Sequence, residues 1–167
     1  LVLNVARNSY NRTTMGTNII EGDRTNRDSY KSITNTVSGS ASTYGRRRGL
    51  LWFNLQGAPE ATASAKLYLR IVKDGTAGVL NIHKLTDYAR WDWHSACWGA
   101  RLGTRGWDEG AGDPGGAYIE TDISGSTSFS ASSSDYTIEI DIDMNILNGM
   151  INNPSTNNGF ILKLSSD

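Results

Sequence analysis

The 167-residue sequence contains one cysteine (Cys97), three prolines and two histidines. A lone thiol excludes an intramolecular disulfide and a thiolate metal cage, so a structural zinc site is not expected. Stability must therefore come from a packed core, and a chain of this length suits one domain that buries roughly 70% of its unfolded surface. No apolar run nears the ~20 residues of a membrane helix, so no membrane insertion is expected. Net charge is also scarce, formally -1. The only basic run, Arg46-Arg47-Arg48, is too small for a duplex-DNA footprint, so nucleic acid is not expected as a partner.

Catalytic signatures are missing as well. The chain has no G-x-S-x-G elbow, no phosphate-cradling glycine loop and no H-E-x-x-H helix, and only His83 and His94 could act as bases near neutral pH. Glu139 and Asp141 are the best pair for glycoside chemistry, but their spacing also fits the solvated face of an antiparallel strand. No enzyme is expected. Asp141-Ile-Asp143-Met-Asn145 has the oxygen spacing of a calcium loop, yet Ile146 stands where such a loop needs glycine. In the turn Trp107–Gly116, Asp108, Glu109 and Asp113 could hold a structural calcium, with a plain Gly/Pro turn as the alternative. No other cofactor is expected.

What the chain has in quantity is small and turn-forming residues: 65 of 167 are Gly, Ser, Thr or Asn. Many short strands and loops are favoured over long helices. Charge is divided unevenly, with 11 Lys/Arg against 5 Asp/Glu in residues 1–75 and 5 against 12 in residues 76–167. The two halves of one domain can thus neutralise each other. Residue 1 is Leu, so a processed or excised piece is expected, with any secretion signal outside it.

Period-two alternation is the strongest pattern. Leu51, Phe53 and Leu55 alternate with Leu50, Trp52 and Asn54; Leu67, Leu69 and Ile71 with Lys66, Tyr68 and Arg70; Leu80 and Ile82 with Asn81 and His83. Near the C-terminus Ile138, Ile140 and Ile142 alternate with Glu139, Asp141 and Asp143, and Phe160, Leu162 and Leu164 with Ile161 and Lys163. Each run predicts a strand, and those at 49–55 and 65–72 predict one wet face. Leu1–Val5 is a further alternating run, and short apolar pieces lie at Ile19–Ile20 and Ser32–Val37. Asp143–Ile151 predicts the one helix, stopped by Asn152-Asn153-Pro154. Ser124–Ser134 reads as an exposed connection. Tyr88–Tyr118, with four tryptophans and seven glycines, predicts a long loop that is functional or packed by its own side chains. The expected fold is all-β: a jelly-roll-like antiparallel β-sandwich with one short helix and this long Trp/Gly-rich loop, a single domain over 1–167 in which 1–41 is the least defined part.

Trp52, Tyr68, Arg70, Asn81 and His83 stand opposite the core-facing positions of three successive predicted strands. Were these strands neighbours, the five would form one aromatic and hydrogen-bonding platform. Sugar binding is one use of such a face; packing against a loop, domain or subunit is the other.

Several segments together, from about Ser42 to Leu164, resemble the DNRLRE domain family of extracellular β-sandwiches, which includes alginate-type carbohydrate-binding modules and disaggregatase-related repeats. Arg48-Gly-Leu-Leu-Trp-Phe-Asn-Leu is similar to the family's R-x-L-L-x-F-D-L strand, Ser64-Ala-Lys-Leu-Tyr-Leu to S-A-x-L-x-L, and Ile82-His-Lys-Leu-Thr to V-x-R-V-T. Trp91 and Trp98 stand like the family's paired tryptophans, and Trp107 with Gly115-Gly116-Ala117-Tyr118 like its W-x-x-x-G-G-D-Y end. Asn158-Gly-Phe-Ile-Leu-Lys is similar to N-x-G-x-x-L-K. The chain departs in having only Asn148-Gly149 for the helix motif. Leu1–Val5 is either an ordinary first strand or the family's terminal strand displaced to the front.

The resemblance implies a binding or adhesive module, extracellular, cell-surface or virion-borne. It also implies that Trp91, Trp98 and Trp107 pack the loop, leaving Trp52 and Trp93 as exposed candidates. The expected function is a non-catalytic carbohydrate-binding module for an anionic or polyhydroxylated glycan, with Trp52, Tyr68, Arg70, Asn81, His83 and Trp93 as ligand-binding residues. The alternative is a structural or adhesive module of a surface array or phage particle that joins a homo-oligomer or tandem-repeat neighbour through its outward sheet face.

Overall fold

The computed structural model describes residues 2–4, 15–21, 47–71, 77–87, 89–91, 96, 101, 107, 116 and 118–165. These residues are mostly β, in two sheets. A three-stranded sheet has the order β1-β4-β7, with β1 Val2–Asn4, β4 Lys66–Ile71 and β7 Tyr136–Asp141. A five-stranded sheet has the order β2-β3-β8-β5-β6, with β2 Met15–Glu21, β3 Arg47–Phe53, β5 Gly78–Leu85, β6 Tyr118–Phe129 and β8 Phe160–Leu164. All described pairings are antiparallel except β1 with β4.

Alternation in the sequence becomes a core shared by the two sheets. Leu67 and Leu69 on β4, with Ile138 and Ile140 on β7, belong to the same buried cluster as Leu51, Phe53, Leu80, Ile82, Phe160 and Leu162 of the larger sheet. Tyr68, Arg70, Thr137, Glu139 and Asp141 occupy the opposite faces of β4 and β7, where period two places them. The sheets approach at the end of β7: Asp143 donates its backbone N–H to the Ser124 carbonyl at 2.8 Å, and a Cβ at Gly125 would lie 2.7 Å from the Asp141 oxygen. Glycine is required there by space.

The helix α1, Met144–Asn152, starts at Asp143, whose Oδ1 accepts from the Asn145 and Ile146 N–H groups at 2.7 and 3.4 Å. That cap satisfies two of the orphan donors of the first turn. Leu147 and Met150, fully buried, join the shared core, each worth roughly 1.5–3 kcal/mol of apolar burial. Asn148, on a different side, accepts from Ala61 N–H at 2.8 Å and donates to Ala61 O at 3.0 Å, tying the helix to the β3–β4 connection. Pro154 opens a 3-10 turn over Pro154–Thr156, where the helix expected from sequence stops.

Three expectations are corrected. Ser124–Phe129 is not a connection but the second half of β6, paired with β5 from Ile82↔Gly125 to Gly78↔Phe129; an outer strand tolerates small polar residues on its wet side. β3 does not have a wet face: Leu50 is buried and Arg48 is 7% exposed, because aromatic side chains from the long loop cover that side. Third, β3 and β4 are not neighbours but lie in different sheets. Ser32–Val37 lies outside the described residues.

Candidate functional site

The separation of β3 from β4 divides the five-residue platform. Trp52, Asn81 and His83 belong to the five-stranded sheet, and Tyr68 and Arg70 to the three-stranded one. Even the first three do not converge. β3 and β5 are separated by β8, and Trp52 lies one step beyond the Leu51↔Phe160 pair, whereas Asn81 lies level with Lys163. Half-buried Trp52 donates Nε1–H to the Asn157 carbonyl at 3.0 Å, and the next carbonyl, that of Asn158, accepts from Trp91 Nε1 at 2.8 Å. The Asn158 amide in turn donates to Thr86 O and Asp87 O, both at 2.8 Å. These tryptophans organise loops.

The outer face of the larger sheet carries a second core. Leu50, Leu85, Ile161 and Trp107 are fully buried together, with Trp91 and Tyr118 against them. Trp91 and Trp107 thus pack where the resemblance implied, while Trp93 and Trp98 lie outside the described residues, as do the calcium candidates Asp108, Glu109 and Asp113. Within this layer Tyr118 gathers cations: Arg48 Cζ and Lys163 Nζ are each 5.4 Å from its ring centroid, and Lys163 donates to its hydroxyl at 3.3 Å. The His83 ring packs on it at 4.9 Å. His83 is fully buried, and its Nδ1 meets the carbonyl oxygens of Ile119 and Asp122 at 3.3 and 3.2 Å. A carbonyl only accepts, so the proton sits on Nδ1. This histidine is a structural strut rather than an open ligand contact.

Its two carbonyl partners belong to an irregularity of β6. His83 pairs with Ile123 and Leu85 with Tyr118, so four residues of β6 stand where β5 has Lys84 alone. The imidazole bridges the resulting bulge. Ile119 and Ile123, at its ends, are the large apolar side chains exposed among the described residues, at 56% and 46%.

The outward faces of β4 and β7 are chemically dense, with Arg70, Thr137, Glu139 and Asp141 exposed and Lys66 and Tyr68 half-buried. Register places Lys66 across from Asp141, Tyr68 from Glu139 and Arg70 from Thr137. Lys66 pairs with Glu139 and, at 3.5 Å, with Asp141, and Arg70 pairs with Asp135 at 2.5 Å. The Lys66 ammonium, followed by the Tyr68 hydroxyl, holds the Glu139 carboxyl below its ordinary range. Reciprocally, the hydrogen bond to Glu139 raises both Lys66 and Tyr68. A carboxylate so stabilised is a poor proton donor and a good hydrogen-bond acceptor. Among the described residues there is no group of three or more His, Cys, Asp or Glu side chains arranged for a metal.

Sequence reasoning found Tyr68 and Arg70 on this face and weighed Glu139 and Asp141 as a catalytic pair or as the solvated face of a strand. It missed that β7 is the strand beside β4, which makes Lys66, Glu139 and Asp135 part of the same surface. The signal was the matched alternation at 66/68/70 and 137/139/141, readable once the two runs are paired. Comparison of the chain with protein-family models, curated proteins and solved structures found no match.

Proposed function

We propose that this chain is a non-catalytic carbohydrate-binding module with a jelly-roll-type β-sandwich fold, part of an extracellular or surface protein, and that it binds polysaccharide on the outer face of β4 and β7. The sandwich reading is supported by the single core to which both sheets contribute, and the extracellular one by the DNRLRE-like motifs. The observation that carries the binding site is half-buried Tyr68, set between Lys66 and exposed Arg70 and across from Glu139. An aromatic ring ringed by donors and acceptors can stack on the apolar side of a pyranose while its hydroxyls are hydrogen-bonded.

Titration calorimetry against a panel of soluble oligosaccharides tests this. Tyr68→Ala is expected to cost ~1–3 kcal/mol of binding, the scale of aromatic stacking on planar ligands, whereas Trp52→Phe leaves affinity unchanged. Binding that survives Tyr68→Ala, or follows Trp52, removes this face from the proposal.

A second reading rests on Ile119 and Ile123. Exposed isoleucines flanking a bulge suit a structural or adhesive module that meets a neighbouring copy along β6. Mass measurement in solution separates the two: an oligomer dispersed by Ile119→Ser with Ile123→Ser, and indifferent to every glycan, favours assembly.

A further inference from the structure

We infer that the ligand of the β4–β7 face is an uncharged polyhydroxylated saccharide and not a uronate or other anionic glycan. The inference rests on the sugar-binding reading of that face and narrows its substrate class. Among the described residues the face presents two cations, Lys66 and Arg70, against three carboxylates, Asp135, Glu139 and Asp141. Both cations are already paired within the protein. An arriving carboxylate would displace Glu139 or Asp135 from a cation at equal charge, and would then sit beside the carboxylate it had displaced. It gains one ion pair, loses another, and adds a negative charge to a surface already at -1.

A sugar hydroxyl faces no such exchange. Each ionised carboxylate has about four acceptor positions and each ammonium three donors, so the existing ion pairs leave capacity on both sides. Asp141, 83% exposed, can accept from a hydroxyl, and Arg70, 59% exposed, can donate to one. A sugar hydroxyl, donor and acceptor at once, can use either group without breaking its ion pair, and the two stand four residues apart along the ladder, so they would meet different hydroxyls. Tyr68, across the ladder from Glu139, supplies the flat apolar contact.

The arginines that could pair with an anionic ligand, Arg46, Arg47, Arg48 and Arg70, do not assemble here. Arg48 is buried on the other sheet over Tyr118, Arg47 belongs to that sheet as well, and Arg46 lies outside the described residues. Of that set only Arg70 reaches the face, already paired with Asp135.

The test is calorimetric titration of the intact chain with neutral β-linked glucan, mannan and galactan hexamers and with oligouronates of matched length, at about 20 and 300 mM salt. At least one neutral hexamer is expected to bind at least tenfold more tightly than any oligouronate, with affinity little changed by salt. The Asp135→Asn variant, which releases Arg70, is expected to raise oligouronate affinity severalfold and make it salt-sensitive. Oligouronates bound more tightly than all neutral hexamers, with affinity that falls with salt, would overturn the inference and leave the sugar-binding reading standing. Binding of neither class at millimolar concentration would instead overturn that reading itself. Neutral binding unaffected by Tyr68→Ala, in a variant whose melting curve matches the parent, would also overturn the inference by placing the ligand elsewhere.

Discussion

Tyr68 and Glu139 face each other across the β4–β7 ladder, and Lys66, one side-chain row away, closes on the same carboxylate. The arrangement makes stability depend on pH at both ends. Glu139 titrates below its ordinary 4.5 in the folded chain, so its contribution is present above the unfolded value and is lost as pH falls through the lowered one. Lys66 and Tyr68 are raised above 10.5 and 10.0, so theirs is present below those values and lost as pH rises through the raised ones. Glu139→Gln is therefore expected to lower melting temperature most between the two limbs and to flatten both the acid and the alkaline limb of its pH profile. All three groups are solvent-facing, so the effect should be small and should shrink in about 0.5 M salt. Melting curves from pH 2 to 11 at two ionic strengths check it; an acid limb identical in the two proteins would contradict the pairing.

Phe53 sits 7% exposed in the core shared by the two sheets. Phe53→Ala should cost roughly 3–5 kcal/mol, the lost transfer energy plus the cavity left behind. Urea unfolding with an unchanged slope checks this, and a cost below about 1 kcal/mol would place Phe53 outside the core.

Gly159 has φ +85°, and a Cβ there would lie 2.2 Å from the Leu51 carbonyl oxygen. Gly159→Ala combines a left-handed backbone, about 1–3 kcal/mol for a non-glycine residue, with collision against a strand that cannot yield. A loss of at least about 2 kcal/mol is expected by chemical denaturation, more than Gly149→Ala, which meets open space within a helix and should be neutral or stabilising.

Asn148→Ala removes both hydrogen bonds to Ala61 and leaves a partly buried N–H and C=O without their side-chain partner. A cost of about 1–3 kcal/mol is expected. Hydrogen exchange at the Ala61 amide should accelerate more than at Leu67, which is held in the β-ladder.

Core strands were legible because period two is a local property: Leu51 and Phe53, Leu67 and Leu69, Ile138 and Ile140 each declare an inward face within a few residues. The helix was legible from the apolar face shared by Met144, Leu147, Met150 and Ile151 and from the stop at Asn152-Asn153-Pro154, whereas the cap supplied by Asp143 emerged only in the structure. Which strands lie side by side was not, since nothing local in Tyr68 distinguishes a partner on β7 from one on β3. That single unknown divided the platform: His83 alternates like a wet residue, yet a bulge 36 to 39 residues downstream takes its ring. Nor could the alternation of β3 reveal that Trp107 would cover Leu50, because a strand buried on both sides and one buried on a single side differ here only in what a distant loop does.

The bulge of β6 also governs how the larger sheet can be extended. A strand added to an edge needs an evenly spaced row of N–H and C=O groups to lengthen the ladder. Between Tyr118 and Ile123 that row is interrupted, and the Ile119 and Asp122 carbonyls already accept from an imidazole inside the fold. A neighbouring molecule that met the isoleucines at this end of β6 would therefore be unable to continue the sheet through it.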